Sequence, residues 1–481
     1  MDEKKTHVNE LLAESLSGRI SRRDVMKRAA ALGLSAPLAG LMMSAHAHGA
    51  LAQDATPAAG DQSPGYTAVM PQGLRTDLKG KKITAILGDA TSPDVPWQAA
   101  VIKKFTEVTG IEVTQIPGET QANDRLTKYN QALGSKSSDF DVYMIDVIWP
   151  GVVAEHAVDL NASLKPLADQ HFPAIVANNT IKGALVGMPW FTDAGLLYWR
   201  QDLLDKYKLT QPATWAELQT SAKTIQDGER AASADFYGFV WQGNAYEGLS
   251  CNALEWLVSN GGGNIIEPDG TVSINNPQAI AAFERAKGWV KTISPEEVTT
   301  YAEAETLNAF IAGNAAFMRN WPYAFAASND PKQSKVTGKV GVGLLPKGDG
   351  DNARNADCLG GWQLMVAKYS KEQDAAIELV KFMCSPEIQK SFAIERSHLP
   401  TIASVYDDAD VAKSSEFIPR LKDVFNGGAV ARPSSVSGDV YPRVSSAYWT
   451  TVNNILTGQT SAADGLKALE STLKGIMADK A

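Results

Sequence analysis

Between Lys81 and Asp146 short apolar strands alternate with amphipathic helical stretches, and this alternation restricts the fold more than any other feature of the chain. Ile83-Thr84-Ala85-Ile86-Leu87 is an apolar strand closed by Gly88-Asp89. Trp97, Val101, Ile102, Phe105 and Val108 then recur at helical spacing, and Gly110 stops the helix. Ile111 to Ile116 alternates as a strand does, Asn123 to Leu133 suits a helix, and "FDVYMID" supplies a third strand ending at Asp146. Strands separated by helices argue for a parallel sheet covered on both faces, with ligands gathering beyond the carboxyl ends of the strands. Asp146 stands at such an end.

A chain of 481 residues with 44% hydrophobic content exceeds one comfortable core, so two lobes are expected. The later part reads as more helical, with helical spacing over Trp215–Ile225 and Ala279–Ile293 and a turn-rich "SNGGGNIIEPDG". A net charge of −9 without a long basic run argues against nucleic acid as a partner.

The N-terminus stands apart. Ser21-Arg22-Arg23-Asp24-Val25-Met26-Lys27 precedes an uncharged run from Ala29 to Ala45. It resembles a twin-arginine export signal, with Val25 in place of the usual aromatic. The run is 17 residues long and diluted by glycine and alanine, short of the ~20 apolar residues of a membrane span. Cleavage is expected after Ala50-Leu51-Ala52, with Ala45-His46-Ala47 as the competing site, or the signal is kept as an anchor. Removing residues 1–52 takes away seven basic and five acidic side chains, leaving −11. Residues 53–76, rich in Pro, Gly and Ala, read as a flexible tether.

Several chemistries are disfavoured. Three cysteines without C-x-x-C spacing (Cys251, Cys358, Cys384) argue against a zinc site or a disulfide framework; Cys358 and Cys384 either pair or remain small buried thiols. His156, His171 and His398 are scattered, so no metal or other cofactor is expected. "GVGLLPKG" lacks the ending of a phosphate loop, and "GLSCN" lacks the second glycine of a nucleophile elbow. Asp146, Asp193 and Glu247 leave a glycoside hydrolase as the alternative reading.

What recurs is aromatic rings beside planar hydrogen-bonding groups. "MPWFTDAGLLYWR" sets Asp193 between two aromatic pairs, and "WQGNAYEGL" joins Gln242, Tyr246 and Glu247. "RNWPY" offers Trp321 and Tyr323, "LGGWQ" offers Gly360, Gly361 and Trp362, and "ARPS" offers Arg432. A pyranose presents C–H patches that pack on aromatic faces and vicinal hydroxyls that one carboxylate or guanidinium can bond in pairs.

In the order of these motifs, from about Lys81 to the end, the chain resembles the extracellular sugar-binding proteins of ATP-binding-cassette importers, nearest the trehalose and maltose branch. The resemblance implies two α/β lobes joined by hinge strands and closing on a disaccharide or short oligosaccharide, without catalysis. It implies residues 77–192 and 324–365 in the first lobe, and 193–323 and 366–481 in the second. Asp146 and Asp193 would bond hydroxyls, Tyr246 and Glu247 would supply second-lobe contacts, Trp321 and Tyr323 would stack, Gly360 and Gly361 would make a backbone contact, Trp362 would join the ligand-binding set, and Arg432 would be the bidentate cation. An acidic contact in the first strand–helix loop falls to Asp89 or Asp94. The implied partners are an ABC permease with its cytoplasmic ATPase and, for the signal, the twin-arginine machinery; the protein itself would be a periplasmic or extracellular monomer. A receptor feeding a sensor and an oligopeptide binder are the remaining alternatives. "FIAGNAAFMRN" reads as helix end, turn and a strand crossing between lobes, with Trp321 and Tyr323 alternating in an extended stretch that follows it.

Overall fold

The computed structural model describes residues 70–349, 352–415, 417–423 and 429–480. The export signal, its cleavage sites and the first part of the tether fall outside the described residues. The last part of the tether is docked: Met70 and Leu74 pack on the first core, and the Arg75 N–H donates to Glu378 Oε1 at 2.9 Å.

The first sheet contains β1 (Lys82–Ile86), β2 (Glu112–Gln115) and β3 (Val142–Asp146), all parallel. All five residues of β3 are buried, which explains its nearly unbroken apolar run. A two-residue hairpin, β4 (Thr180–Ile181) and β5 (Ala184–Leu185), precedes β6 (Met188–Ala194). The second sheet is built from β7 (Leu196–Arg200), β8 (Tyr237–Val240), β9 (Ala315–Asn320) and β10 (Val340–Gly343), in the order β10-β7-β9-β8. "GVGLLPKG" thus begins as strand β10. The chain then returns to the first sheet through β11 (Asp357–Val366), which lies antiparallel to both β3 and β6, and β12 (Ala429–Val430). The first sheet is therefore mixed, not parallel throughout, because β11 enters from the other lobe.

Helix α1 (Val95–Thr109) buries Trp97, Val101, Ile102 and Phe105, and Gly110 ends it at φ 73°. Helix α2 (Ala122–Gly134) covers the same sheet through Leu126, Tyr129 and Leu133. In the second lobe α3 (Trp215–Glu229) starts with a capping box between Thr214 and Glu217. Helices α4 (Glu247–Ser259), α5 (Pro277–Trp289), α6 (Glu303–Ile311) and α7 (Tyr323–Asn329) follow. Helices α8 (Gln373–Met383) and α9 (Pro386–Arg396) belong to the first core, whereas α10 (Tyr441–Leu456) and α11 (Ala462–Ala478) belong to the second.

The lobe boundaries thus differ from those implied by the resemblance. Residues 324–343 pack with the second lobe and α8–α9 with the first. Strand β9 stays inside the second sheet and does not cross. The chain crosses a third time between α9 and α10; the other two crossings are Gly195, between β6 and β7, and the start of β11. The two are tied together, since the Gly195 N–H donates to Cys358 O at 3.1 Å. Behind them lies a buried ion pair: Arg319 Nε donates to Glu255 Oε2 at 3.0 Å and Nη2 to Oε1. Glu255 Oε1 also accepts the Cys358 N–H at 3.2 Å. A side chain at Gly195 would collide with this pair, its Cβ lying 1.9 Å from Glu255 Oε1. Cys358 and Cys384 do not pair: both are free and buried, one in each core.

Candidate functional site

Strand order β3-β11-β6 decides which residues meet. Trp362 on β11 is in register with Asp146 on β3, and Gly360 is in register with Asp193 on β6. Tyr246 and Glu247 enter at the start of α4, Trp321 directly after β9, Tyr323 at the start of α7 and Arg432 after β12. All ten binding candidates picked out from the sequence line one cavity of about 650 Å³ between the lobes. Asp89 and Asp94 line it as well.

Arg432 is the electrostatic centre. It is buried, its Nη1 donating to Glu247 Oε1 at 2.9 Å and its Nη2 to Asp146 Oδ1 at 3.2 Å, so one guanidinium joins a carboxylate from each lobe. Glu247 also accepts from Tyr441 OH at 2.5 Å and Ser445 Oγ at 2.6 Å. With both oxygens held by three donors, Glu247 orients Arg432 before it can serve a ligand directly. Arg432 Nε has no protein partner.

Asp193 lies at the end of β6, and its Oδ1 is buried with no hydrogen-bond partner. Burial pushes its carboxyl well above the ordinary 3.8, Asp94 and Asp146 push it further, and Arg319 only partly opposes them. A hydroxyl donated to this carboxylate from the cavity would favour the ionised form. Ligand affinity is therefore expected to rise with pH above 3.8 and to level off once the raised pKa is passed, and Asp193→Asn is expected to flatten that profile. Calorimetric titration at a series of pH values checks this. The sign for stability is opposite: a pKa raised by folding gives a contribution present below 3.8 and lost as pH climbs through the folded value.

Trp321 is half-buried, with the Arg319 guanidinium 4.0 Å from the centre of its ring. Its Nε1 donates to Glu303 Oε1 at 3.3 Å, and Tyr246 OH donates to Glu303 Oε2 at 2.5 Å. Glu303 thus sets the angle of two aromatic walls, a role that sequence reasoning missed because nothing in "YAEAETL" sets it beside an aromatic motif. Glu303→Gln can accept only one of the two donors and is expected to weaken ligand binding by about 1 kcal/mol, with an unchanged melting temperature; calorimetry and thermal unfolding check this.

Gly360 and Gly361 are required by packing. A Cβ on Gly360 would lie 3.0 Å from Trp321 Cζ3, and one on Gly361, at φ 128°, would lie 2.7 Å from Phe191 O. Trp362 has Arg125 4.9 Å from the centre of its ring and Trp149 edge-on at 5.6 Å, so it is in part a core residue. Tyr323 does not continue an extended stretch from Trp321. Pro322, the N-cap residue of α7, already has helical φ −54° and ψ −35°, and the Tyr323 ring stacks on His398 at 6.4 Å. Of the two first-loop acids, Asp94 is held by His398 Nε2 at 2.7 Å and Arg396 Nε at 3.1 Å. Asp89 accepts from the Thr91 N–H at 2.8 Å and faces Arg125 at 3.8 Å. His398, Arg125 and Asn244 are further cavity residues not anticipated from sequence.

Comparison with known proteins agrees with this architecture. Residues 88–390 match the bacterial extracellular solute-binding protein family. A "Probable ABC transporter-binding protein" of Deinococcus radiodurans is 48% identical over 369 residues, covering 76% of this chain and 86% of that one. The maltodextrin-binding protein MdxE of Bacillus subtilis is 21% identical over 66% of this chain and 73% of its own. Among solved structures, maltose-bound T. maritima MalE3 superposes with a TM-score of 0.77 at 37% identity, covering 82% of this chain and 99% of that chain. The chain belongs to the bacterial extracellular solute-binding proteins.

Proposed function

We propose that this protein captures a disaccharide or short oligosaccharide of the trehalose or maltose type outside the cytoplasm and delivers it, by closure of its lobes, to an ABC permease driven by a cytoplasmic ATPase. The observation that carries this reading is the single cavity in which Trp321, Tyr323, Tyr246 and Trp362 alternate with Asp146, Asp193 and Arg432. Aromatic faces would take the C–H patches of the rings, while the charged groups would take hydroxyl pairs, at roughly 1.5–3 kcal/mol for each bond to a charged group. Contacts arising from both lobes make the ligand favour the closed arrangement. The T. maritima relative holds maltose and the B. subtilis relative takes maltodextrin, which supports a glucose-based ligand. Ser21 to Lys27 supports export through the twin-arginine route.

The reading is of binding without turnover. Glu247, one of the three carboxylates of the hydrolase alternative, is held on both oxygens by Arg432, Tyr441 and Ser445 and is badly placed to exchange protons with a substrate. Prolonged incubation of stoichiometric protein with maltose or trehalose is expected to return the sugar intact. Release of free glucose in proportion to protein would overturn this assignment in favour of a hydrolase.

A further inference from the structure

Helix α4 carries a cleft-facing end whose capping comes from the wrong lobe. All thirteen of its residues are buried, and its N-cap residue, Tyr246, provides no side-chain cap. The first amide of a helix has no intrahelical acceptor and needs one from elsewhere. Here it comes from Asn123, the second residue of α2 in the first lobe: the Glu247 N–H donates to Asn123 Oδ1 at 3.0 Å. Asn123 is not among the cavity-lining residues, although Thr120, Gln121 and Ala122 before it are.

We propose that Asn123 is a positioning residue that sets ligand affinity without touching the ligand, by capping α4 across the cleft and so favouring closure. The bond forms only when the lobes are together, and it holds the residue, Glu247, that orients Arg432. Its energy therefore belongs to the closed population alone. For a protein that binds tightly only when closed, the apparent dissociation constant varies inversely with the closed fraction. Losing one such bond lowers that fraction by the same factor for every ligand. This is the property that separates Asn123 from a contact residue, whose loss discriminates among ligands.

The inference rests on the sugar-binding reading, and the experiment keeps the two apart. In the full-length chain, Asn123→Ala is expected to weaken maltose, trehalose and maltotriose by one common factor of about five, the equivalent of a single net hydrogen bond. Asn123→Asp, which keeps an acceptor oxygen, is expected to restore binding. In parallel, a dye pair with one member on each lobe reports the ligand-free distance distribution, which is expected to shift toward larger separations in Asn123→Ala. That arm needs no sugar, so it tests the cap even if none of these sugars binds the wild type. An unchanged ligand-free distribution overturns the proposal. So do factors that differ between sugars, or a failure of Asn123→Asp to rescue.

Discussion

Glu255→Ala is expected to destabilise the protein by about 3–5 kcal/mol, the cost of breaking a buried ion pair from one side. The carboxylate is fully buried, and its removal leaves the Arg319 guanidinium, 1% exposed, without its bidentate partner. The same change removes the acceptor of the Cys358 amide, so the two crossing strands lose the group that pins them. The pair is weak evidence for net stability in itself, since burying two charges costs several kcal/mol per ion. What it fixes is geometry: Gly195 has room only for a hydrogen because Glu255 and Arg319 occupy the space beside it. Urea unfolding monitored by tryptophan fluorescence checks the magnitude. A loss under 1 kcal/mol would mean that water reaches the crossing and that the strands are not pinned there.

Trp321→Ala is expected to produce the largest loss of binding, about 2–3 kcal/mol or roughly 30- to 150-fold in affinity. The ring is half-buried, lines the cavity and is backed on one face by Arg319, so its other face is the one left for a sugar. Its removal also opens Arg319 to the cavity and frees Glu303 from the indole N–H. Stability is expected to fall by only about 1–2 kcal/mol, less than the 3–5 kcal/mol of a fully buried tryptophan. Calorimetry for affinity and thermal unfolding for stability separate the two effects. A stability loss in the upper range with affinity intact would make Trp321 a core residue and nothing more.

Local pattern made the first sheet legible. The apolar run of β3, the helical spacing of α1 and the stop at Gly110 all appear where the sequence puts them, because each depends on neighbours a few residues away. The same holds for the positions of candidate residues that sit on or beside their own motif, such as Asp146 at a strand end and Trp321 after β9. What escaped was whatever depends on chain return. Strand β11 lies more than 160 residues beyond β6, yet it separates β6 from β3 and makes the sheet mixed. Helices α8 and α9 follow β11 in sequence and pack on its lobe, which no periodicity could reveal. Glu303 and Asn123 matter through partners 57 and 124 residues away. Pro322 misled in a specific way: proline disfavours helix at the residue before it but suits the first turn of a helix that starts there.

Titration calorimetry of the full-length chain with maltose, trehalose and maltotriose decides whether the cleft binds a glucose-based disaccharide or short oligosaccharide. Saturable heat at one site is expected for at least one of these, with a micromolar or tighter dissociation constant and a negative heat-capacity change from buried apolar surface. Absence of heat for every one of these sugars at millimolar concentration, with the protein folded by its thermal transition, would contradict it.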